Sequence, residues 1–188
     1  MGFGHQNLAS YTEDDPGGWL APSGATVSIT GMARTGTACL YSDAGAGAIG
    51  DVVIDFEFVR HSTSDADARI ALVCLADQLG DVADWAANGY DAVGVRARTD
   101  GGSLCLDVCD FAAGLSDPVT GLADDTRYYC RFERTGGAVG LSVYTDYAHE
   151  DLAGSASVSG PYTGPYRYLY AVNSEDDGVA DGFDGDVA

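Results

Sequence analysis

Residues 51–60 read DVVIDFEFVR, and this stretch carries the plainest strand pattern in the chain. Its even-numbered residues from Val52 to Phe58 are apolar, whereas Asp55 and Glu57 stand between them. Alternate side chains of a β-strand face opposite sides. The pattern therefore predicts a strand with one face on a core and the other on solvent.

Similar runs recur at short intervals along the whole chain, separated by Gly, Asp, Ser or Pro. The predicted strands cover residues 25–30, 37–42, 51–60, 68–76, 91–99, 103–111, 127–134, 138–145, 166–173 and 182–187. One short helix is predicted at 81–87, ended by Asn88-Gly89. Many short strands with little helix predict an all-β sandwich or barrel. No linker divides the chain, so a single domain is expected over residues 1–188, with 1–8 as a candidate N-terminal arm.

Two β-hairpins are marked by glycine-containing dipeptides. Asp100-Gly101 separates the run 91–99 from 103–111, and Gly136-Gly137 separates 127–134 from 138–145. Tight hairpin turns need residues with positive φ, which glycine adopts without steric cost. Each dipeptide therefore predicts an antiparallel pair.

Five stretches together resemble the concanavalin A-like lectin/glucanase superfamily, in particular its short viral and environmental members. They are EDDPGGWLAPSGATVSITGMARTGTACLYSDAGAG (13–47), DFEF (55–58), AVGVRA (92–97), YYCRFERTGGAVGLSVYTD (128–146) and YRYLYAVNSEDDG (166–178). The resemblance covers about residues 9–187 and implies a jelly-roll β-sandwich of two antiparallel sheets, one convex and one concave. Family members bind carbohydrate on the concave face or its rim, often with structural calcium. Some are glucanases, and many are non-catalytic adhesion or virion modules.

The charge balance is the most unusual property of the composition. The chain has 24 Asp, 5 Glu, 9 Arg and no Lys, for a net charge of −20. At about 1 M salt the Debye length falls to about 3 Å, so dense carboxylates scarcely repel one another. We interpret the balance as adaptation to molar salt, the alternative being an ordinary acidic protein. Without a basic patch, naked nucleic acid is not an expected partner.

The cysteines and the N-terminal sequence indicate the compartment in which the chain folds. Cys39, Cys74, Cys105, Cys109 and Cys130 are odd in number and show no zinc-ligand spacing, so buried free thiols are expected. MGFGHQNLASYTEDD has neither a basic start nor an apolar core, so it predicts no signal peptide. No segment is apolar enough to insert in a membrane. Folding in a reducing cytoplasm is therefore expected.

Catalysis is not expected from the residue pattern. The hydrolases of the resembled family carry two glutamates flanking an aspartate on one strand, and no such pattern occurs among the five glutamates here. Asp55 and Glu57 share a strand face, but a solvent-facing role explains them better. Nothing in the sequence positions His5, His61 or His149 beside a thiol.

Calcium is a candidate ligand of the acidic segment SEDDGVADGFDGD (174–186). Aspartate carboxylates on loops are typical calcium ligands. The candidate ligands are Asp176, Asp177, Asp181 and Asp184. The alternative is a hydrated acidic loop, since the EF-hand pattern is absent.

Two aromatic groups are candidates for stacking on sugar rings. Tyr166, Tyr168 and Tyr170 face one side of a strand, and core packing is the favoured alternative for that row. The better glycan-binding candidate is LGDVADWAANGYD (79–91). It offers stacking surfaces and hydrogen-bonding groups, with the alternative that its tryptophan is tucked onto the sandwich edge. The candidate glycan-binding residues are Trp85, Tyr90, Asp81, Asp84 and Asn88.

These observations favour a non-catalytic virion surface protein of a haloarchaeal virus: a capsid decoration, turret or tail-associated protein that folds in the host cytoplasm. Its expected partners are virion structural proteins, host-surface glycans and further copies of itself in a homo-oligomer. The N-terminal arm is expected to contact a neighbouring subunit or virion protein. The alternative functions are a stand-alone lectin-like protein and, less favoured, a glycoside hydrolase.

Overall fold

The computed structural model describes residues 6–34, 36–63, 68–160, 164–175 and 179–188. Within them, two antiparallel seven-stranded sheets pack face to face. In spatial order, sheet A consists of β1 (Thr12–Asp14), β4 (Cys39–Asp43), β13 (Tyr168–Asn173), β6 (Arg69–Ala76), β7 (Ala92–Asp100), β8 (Ser103–Asp110) and β9 (Leu115–Leu122). Sheet B consists of β12 (Leu152–Ser159), β11 (Ala138–Tyr144), β10 (Tyr128–Thr135), β5 (Val52–Thr63), β14 (Val179–Val187), β3 (Thr26–Arg34) and β2 (Leu20–Ser23). A 3₁₀ turn (Leu8–Ser10) and helix α1 (Val82–Asn88) complete the described elements.

The core lies between the sheets and follows the predicted alternation. On β5, Phe56 and Phe58 are buried, whereas Asp55 on the opposite face is exposed. Phe58 stacks on Phe183 of β14 at 6.1 Å between ring centroids. Fully burying a side chain of this size contributes about 1.5–3 kcal/mol. The all-β jelly-roll sandwich predicted from the sequence is therefore confirmed.

The sequence-based strand list misses four strands, and these four are the edges of the two sheets. They are β1, β9, β12 and β2. β9 reads LSDPVTGL and β12 reads LAGSASVS, so proline and small polar residues replace the apolar alternation. Edge strands bury less surface and tolerate proline, because one row of their backbone groups needs no partner within the sheet.

Both predicted hairpins occur, with one correction. Thr135 pairs with Ala138, so Gly136-Gly137 forms the two-residue turn as expected. In the other hairpin Asp100 pairs with Ser103, so the turn residues are Gly101 and Gly102 instead of Asp100 and Gly101. Gly101 and Gly102 have φ of 57° and 91°, which explains why two glycines follow Asp100.

Helix α1 forms where it was predicted, shifted by one residue. The Asp81 carboxylate accepts from the backbone N–H of Asp84 at 2.8 Å and caps the N-terminus. Gly89 ends the helix in the left-handed region at φ 66°. No helix in the described part of the chain is long and apolar enough to cross a membrane.

The tyrosine row belongs to the interior, so core packing holds and a sugar-binding row does not. Tyr166, Tyr168 and Tyr170 are all buried. Strand β13 lies in the middle of sheet A, where Leu169 faces the sandwich core and Tyr170 faces helix α1. Because both faces of β13 are covered, every residue of this strand is buried.

Candidate functional site

The outer face of sheet A, which points away from the core, is divided into two halves. Helix α1 covers one half with Trp85. The indole of Trp85 packs edge-on against Tyr170 at 5.1 Å and against Phe111 at 5.8 Å. The other half carries charged side chains and no covering element among the described residues. We refer to Arg69, Arg96, Arg98, Asp107 and Glu175 as the charged cluster.

Strand register brings the charged cluster together. Arg96 and Arg98 are two residues apart on β7 and therefore share a face. Asp107 of β8 lies directly opposite Arg96, and Arg69 of β6 lies opposite Arg98. Glu175 follows the end of β13, on the other side of β6.

Arg96 connects the two carboxylates of the cluster. Its Nη2 donates to Oδ2 of Asp107 at 2.8 Å, and its Nη1 donates to Oε1 of Glu175 at 3.4 Å. Nε of Arg98 donates to the same Oδ2 of Asp107 at 2.8 Å. Nη1 of Arg69 lies 3.8 Å from Oε1 of Glu175. Each carboxylate therefore engages one of its oxygens with two guanidinium groups.

The remaining oxygens of both carboxylates lack partners. Oδ1 of Asp107, Oε2 of Glu175 and Nε of Arg96 are buried and have no hydrogen-bond partner among the described residues. The Asp107 side chain is only 1% exposed. An unpaired buried polar atom costs about 1–3 kcal/mol, so such atoms normally bind water or a ligand. The cluster thus has donors and acceptors that no described residue uses.

The charge of this region contrasts with that of the whole chain. Three of the nine arginines converge on two carboxylates, in a protein of net charge −20. Burial disfavours the charged guanidinium of Arg96, but Cys109, Glu175 and Asp107 raise its pKa above the usual value. With Asp100, which lies 3.2 Å from Nη1 of Arg98, the three arginines meet three carboxylates, so the region is balanced in charge within an acidic chain.

The thiols beside the charged cluster are not activated as nucleophiles. Burial raises the pKa of Cys109 to about 12, despite the opposing effect of Arg96. Burial also raises the pKa of Cys74 well above its usual value. A thiol must ionise to act as a nucleophile. Both cysteines therefore behave as small apolar side chains at neutral pH, as the sequence predicts.

The structure places the predicted glycan-binding residues around helix α1. Trp85 is fully buried, so the prediction that its ring offers a stacking surface is wrong: the indole fills the space between sheet and helix. The Asp81 carboxylate caps the helix, and Asn88 donates to the carbonyl oxygen of Asp84 at 2.9 Å. Tyr90 is exposed beside the helix end. Glycan contact by Tyr90, Asp81, Asp84 and Asn88 stays a prediction.

The calcium prediction falls largely on residues outside the description. Asp176 and Asp177 lie outside the described residues, as does the side chain of Asp181. Asp184 lies on β14, where its Oδ1 accepts from the backbone N–H of Gly31 at 2.6 Å. Among the side chains that are described, no three His, Cys, Asp or Glu form a metal-binding group. Calcium therefore stays a prediction for this segment.

No protein-family model matches the chain, and no curated protein matches it in sequence. Solved structures do match it. A functionally unknown protein from Saccharomyces cerevisiae aligns with a TM-score of 0.65 at 12% identity, covering 97% of this chain and 95% of that chain. The mannose- and Ca²⁺-bound exoplasmic/lumenal domain of VIP36 aligns with a TM-score of 0.59 at 10% identity, covering 98% of this chain and 86% of that chain.

An enzyme has the same architecture. The marine PL7 alginate lyase AlyA1 from Zobellia galactanivorans aligns with a TM-score of 0.50 at 12% identity, covering 94% of this chain and 79% of that chain. A mannose- and Ca²⁺-bound domain and an alginate lyase are thus both similar to this chain. At these identities the likeness shows the fold alone, so the chain has the concanavalin A-like jelly-roll fold, one used by carbohydrate-binding proteins.

Proposed function

We propose that the protein is a non-catalytic carbohydrate-binding module that holds a saccharide against the charged cluster of sheet A. One observation carries the proposal: Asp107 and Glu175 each keep a buried carboxylate oxygen that has no partner among the described residues, beside the partly exposed guanidinium of Arg96. Sugar hydroxyls both donate and accept hydrogen bonds. A carboxylate oxygen can accept from one hydroxyl while a guanidinium N–H donates to a neighbouring oxygen.

Binding through this cluster differs from stacking on aromatic rings. Trp85 and Tyr170 pack against each other on the covered half of the sheet face and are fully buried, so neither ring is offered to a sugar. Affinity then comes from charge-assisted hydrogen bonds, which contribute about 1.5–3 kcal/mol each when buried. Such contacts specify the orientation of hydroxyl groups on the ligand.

The proposal excludes hydrolysis because no residue of the cluster is set up as a proton donor. Retaining hydrolysis needs one carboxyl as nucleophile and another that donates a proton. Here Asp107 and Glu175 both accept hydrogen bonds from Arg96. We therefore expect no cleavage of the bound saccharide.

The decisive experiment compares Glu175→Gln with Asp55→Asn on an array of oligosaccharides in molar KCl. Asp55 also accepts from an arginine, but it lies on the outer face of sheet B, so it is the matched control. We expect Glu175→Gln to weaken binding about tenfold or more, the equivalent of about 1.4 kcal/mol, and Asp55→Asn to leave it unchanged. Equal effects of the two substitutions, or absence of saccharide binding by the unsubstituted chain, would refute the proposed site.

The same proposal includes the biological setting: the surface of a virion of a haloarchaeal virus, as a decoration, turret or tail-associated protein. It is supported by the charge of −20 without lysine and by buried thiols, which suit folding in a reducing cytoplasm. Dialysis from about 1 M KCl to about 0.1 M should unfold the protein or lower its Tm, since carboxylate repulsion is then less screened. A Tm that does not change would remove the halophilic origin, and absence from purified virions would remove the virion role.

Association into a closed homo-oligomer belongs to this setting. Several copies of a weak saccharide site gain avidity without new contacts, and identical chains usually associate with cyclic symmetry. A trimer or pentamer would suit an icosahedral virion. Light scattering in molar KCl measures the assembly, and a monomer at all concentrations would contradict it.

A further inference from the structure

The buried polar atoms around the charged cluster that have no partner among the described residues are three acceptors and one donor. The acceptors are Oδ1 of Asp107, Oε2 of Glu175 and Oδ1 of Asn173, and the donor is Nε of Arg96. An ionised carboxylate and an amide oxygen only accept hydrogen bonds, whereas a sugar hydroxyl can donate or accept. A ligand that pairs with these four atoms must therefore donate more hydrogen bonds than it accepts.

Asn173 stands beside the cluster because of the strand register. It pairs with Ala71 of β6, and Ala71 pairs with Arg96 of β7. Directly paired residues of antiparallel strands project from the same face of a sheet. Asn173 and Arg96 therefore share the outer face of sheet A, with the small side chain of Ala71 between them.

An irregularity in β13 gives Asn173 this direction. Ala171 and Val172 both belong to the core between the sheets, whereas Tyr170 before them faces outward, and the register with β4 shifts at this point. Without the extra residue, alternation would turn Asn173 toward the core. On the neighbouring strand β6 the register shifts at Val73, whose φ is 34°. Such bulges re-aim side chains and are frequent next to functional sites.

The amide of Asn173 is held at one end. Its Nδ2 donates to the carbonyl oxygen of Gly80 at 3.0 Å, and the residue is fully buried. A carbonyl oxygen pairs only with the NH₂ end of an amide, so the unpaired end is the oxygen. The bond to Gly80, in the loop before helix α1, thus fixes Oδ1 of Asn173 as an oriented acceptor.

Two arginines of the cluster direct their donors at carboxylates of the protein. Nη1 and Nη2 of Arg96 donate to Glu175 and Asp107. Nε of Arg98 donates to Asp107, and its Nη1 lies 3.2 Å from Asp100. A carboxylate or sulfate is bound most strongly by two parallel N–H groups of one guanidinium. Because the region is balanced in charge, it has no excess positive charge to offset the desolvation of an anion.

Glu175 is the more adjustable of the two carboxylates. Its contacts with Arg96 and Arg69 are 3.4 and 3.8 Å, whereas both contacts of Asp107 are 2.8 Å. The Glu175 side chain is 10% exposed, against 1% for Asp107. Long contacts are weak, so the Glu175 carboxylate can turn toward a hydroxyl at less cost than Asp107. A ligand therefore reaches the cluster first at Glu175, two residues beyond Asn173.

We propose that the charged cluster selects neutral saccharides and rejects uronic acids and sulfated sugars, with ligand hydroxyls donating to Glu175 and Asn173 and one ligand oxygen accepting from Nε of Arg96. This selectivity rests on the proposed function, because it specifies the ligand of the same site, and it adds Asn173 as a specificity-determining residue. An acidic sugar replaces a donor by acceptors. It also brings a negative charge close to carboxylates, so it loses contacts and is repelled.

The test compares each oligosaccharide retained on the array with the same oligosaccharide oxidised at C6, by titration calorimetry in about 1 M KCl. At this salt the Debye length is about 3 Å, so the net charge of −20 contributes little and the comparison reports on the site itself. We expect the neutral member to bind at least about tenfold more tightly, the equivalent of about 1.4 kcal/mol.

Deoxyfluoro analogues identify the hydroxyls that act as donors, because fluorine cannot donate a hydrogen bond. Fluorination of a hydroxyl that donates to Asn173 should weaken binding about tenfold in the unsubstituted chain. In Asn173→Ser the same fluorination should cost nothing further, a result that a merely structural role of Asn173 would not give. Glu175→Gln should narrow the preference for neutral over oxidised ligand at least about threefold, and the control Asp55→Asn should leave it unchanged.

The failure of this selectivity is distinguishable from the failure of the proposed function. Oxidised or sulfated ligands that bind as tightly as neutral ones, with a loss in Glu175→Gln, would overturn the selectivity and leave the saccharide site standing. No binding of any saccharide would refute both. A preference for neutral ligands that Glu175→Gln leaves intact would place the selectivity outside the cluster and overturn the proposal.

Discussion

The outer faces of the two sheets carry similar charge pairs in different surroundings. On sheet B, Arg131 and Asp55 form a two-point pair at 2.7 and 3.0 Å, and the Asp55 side chain is 49% exposed. On sheet A, Arg96 and Arg98 share one oxygen of Asp107, which is 1% exposed. The first pair uses both oxygens of its exposed carboxylate, whereas the second leaves a buried oxygen without a partner in the described part of the chain. Burial and incomplete pairing, more than charge, distinguish a candidate binding site from a solvated surface.

The largest contrast between the faces should come from their aromatic side chains. Trp85→Ala on sheet A should lower the free energy of unfolding by about 3–5 kcal/mol, because it leaves a cavity where a fully buried indole stood. Tyr147→Ala on sheet B removes a ring that is 77% exposed and should cost less than about 1 kcal/mol. Denaturant unfolding of both variants in molar KCl measures this. Comparable losses would show that the loop around Tyr147 carries more structure than its exposure suggests.

The second-largest contrast in unfolding free energy should come from the charge pairs of the two faces. Asp107→Ala leaves the guanidinium groups of Arg96 and Arg98 without their carboxylate and should destabilise the protein by about 3 kcal/mol. Asp55→Ala should cost about 0–1 kcal/mol, as exposed pairs do. The same unfolding experiment gives both values. If Asp107→Ala proved neutral, the cluster would be hydrated in solution and the distinction between the two faces would weaken.

A pH titration distinguishes the faces further, since the charged cluster contains no histidine. On sheet B, His61 contacts Asp186 at 2.8 Å and Asp125 at 3.3 Å. These hydrogen bonds raise the pKa of His61 above its usual 6.5. A raised pKa contributes stability that is complete below the unfolded-state value and is lost as the pH rises through the folded-state value.

We therefore expect wild type to exceed His61→Gln in Tm at about pH 5.5, and the difference to vanish by about pH 8.5. The effect should be small, because the His61 side chain is half exposed. Thermal melts at constant salt check it, with Glu175→Gln as a variant whose difference from wild type should lack this histidine-linked decline. A His61→Gln difference that grows toward high pH would reverse the expected sign.

The smallest contrast between the two faces should be in how salt changes the coupling energy of each charge pair. A double-mutant cycle between Arg131 and Asp55 should show a coupling of about 0.5 kcal/mol at about 0.5 M KCl that is near zero at about 3 M. The coupling between Arg98 and Asp107 should change less, because buried pairs are poorly screened. Equal salt dependence of the two couplings would mean that water reaches both pairs alike.

Part of the charged cluster could have been found from the predicted hairpin. Counting outward from the turn after Asp100 places Arg96 opposite Asp107, once the turn is set at Gly101-Gly102. The signal in the sequence is an aspartate inside the apolar run SLCLDVCDF, which neither the aromatic segments nor the glutamate spacing indicates. Glu175 could not be added this way, because it reaches Arg96 only through the pairing of β13 with β6, about a hundred residues apart in the chain.

The aromatic prediction fails for a different reason. The sequence around Trp85 predicts the helix, its N-terminal cap at Asp81 and its end at Gly89, because these features depend on residues close together in the chain. It does not give the surface that the helix covers. Tyr170, which receives the indole, lies on a strand 85 residues later, and only the packed sheet brings the two rings to 5.1 Å.

The sequence by itself therefore determines the class of fold, the inner strands, both hairpins, the helix and the inert thiols. These follow from alternation, turn chemistry and composition, which act over a few residues. The tertiary structure alone decides which carboxylates lose water and which aromatic rings are hidden. Burial and strand pairing arise between distant parts of the chain, so no local pattern of residues records them.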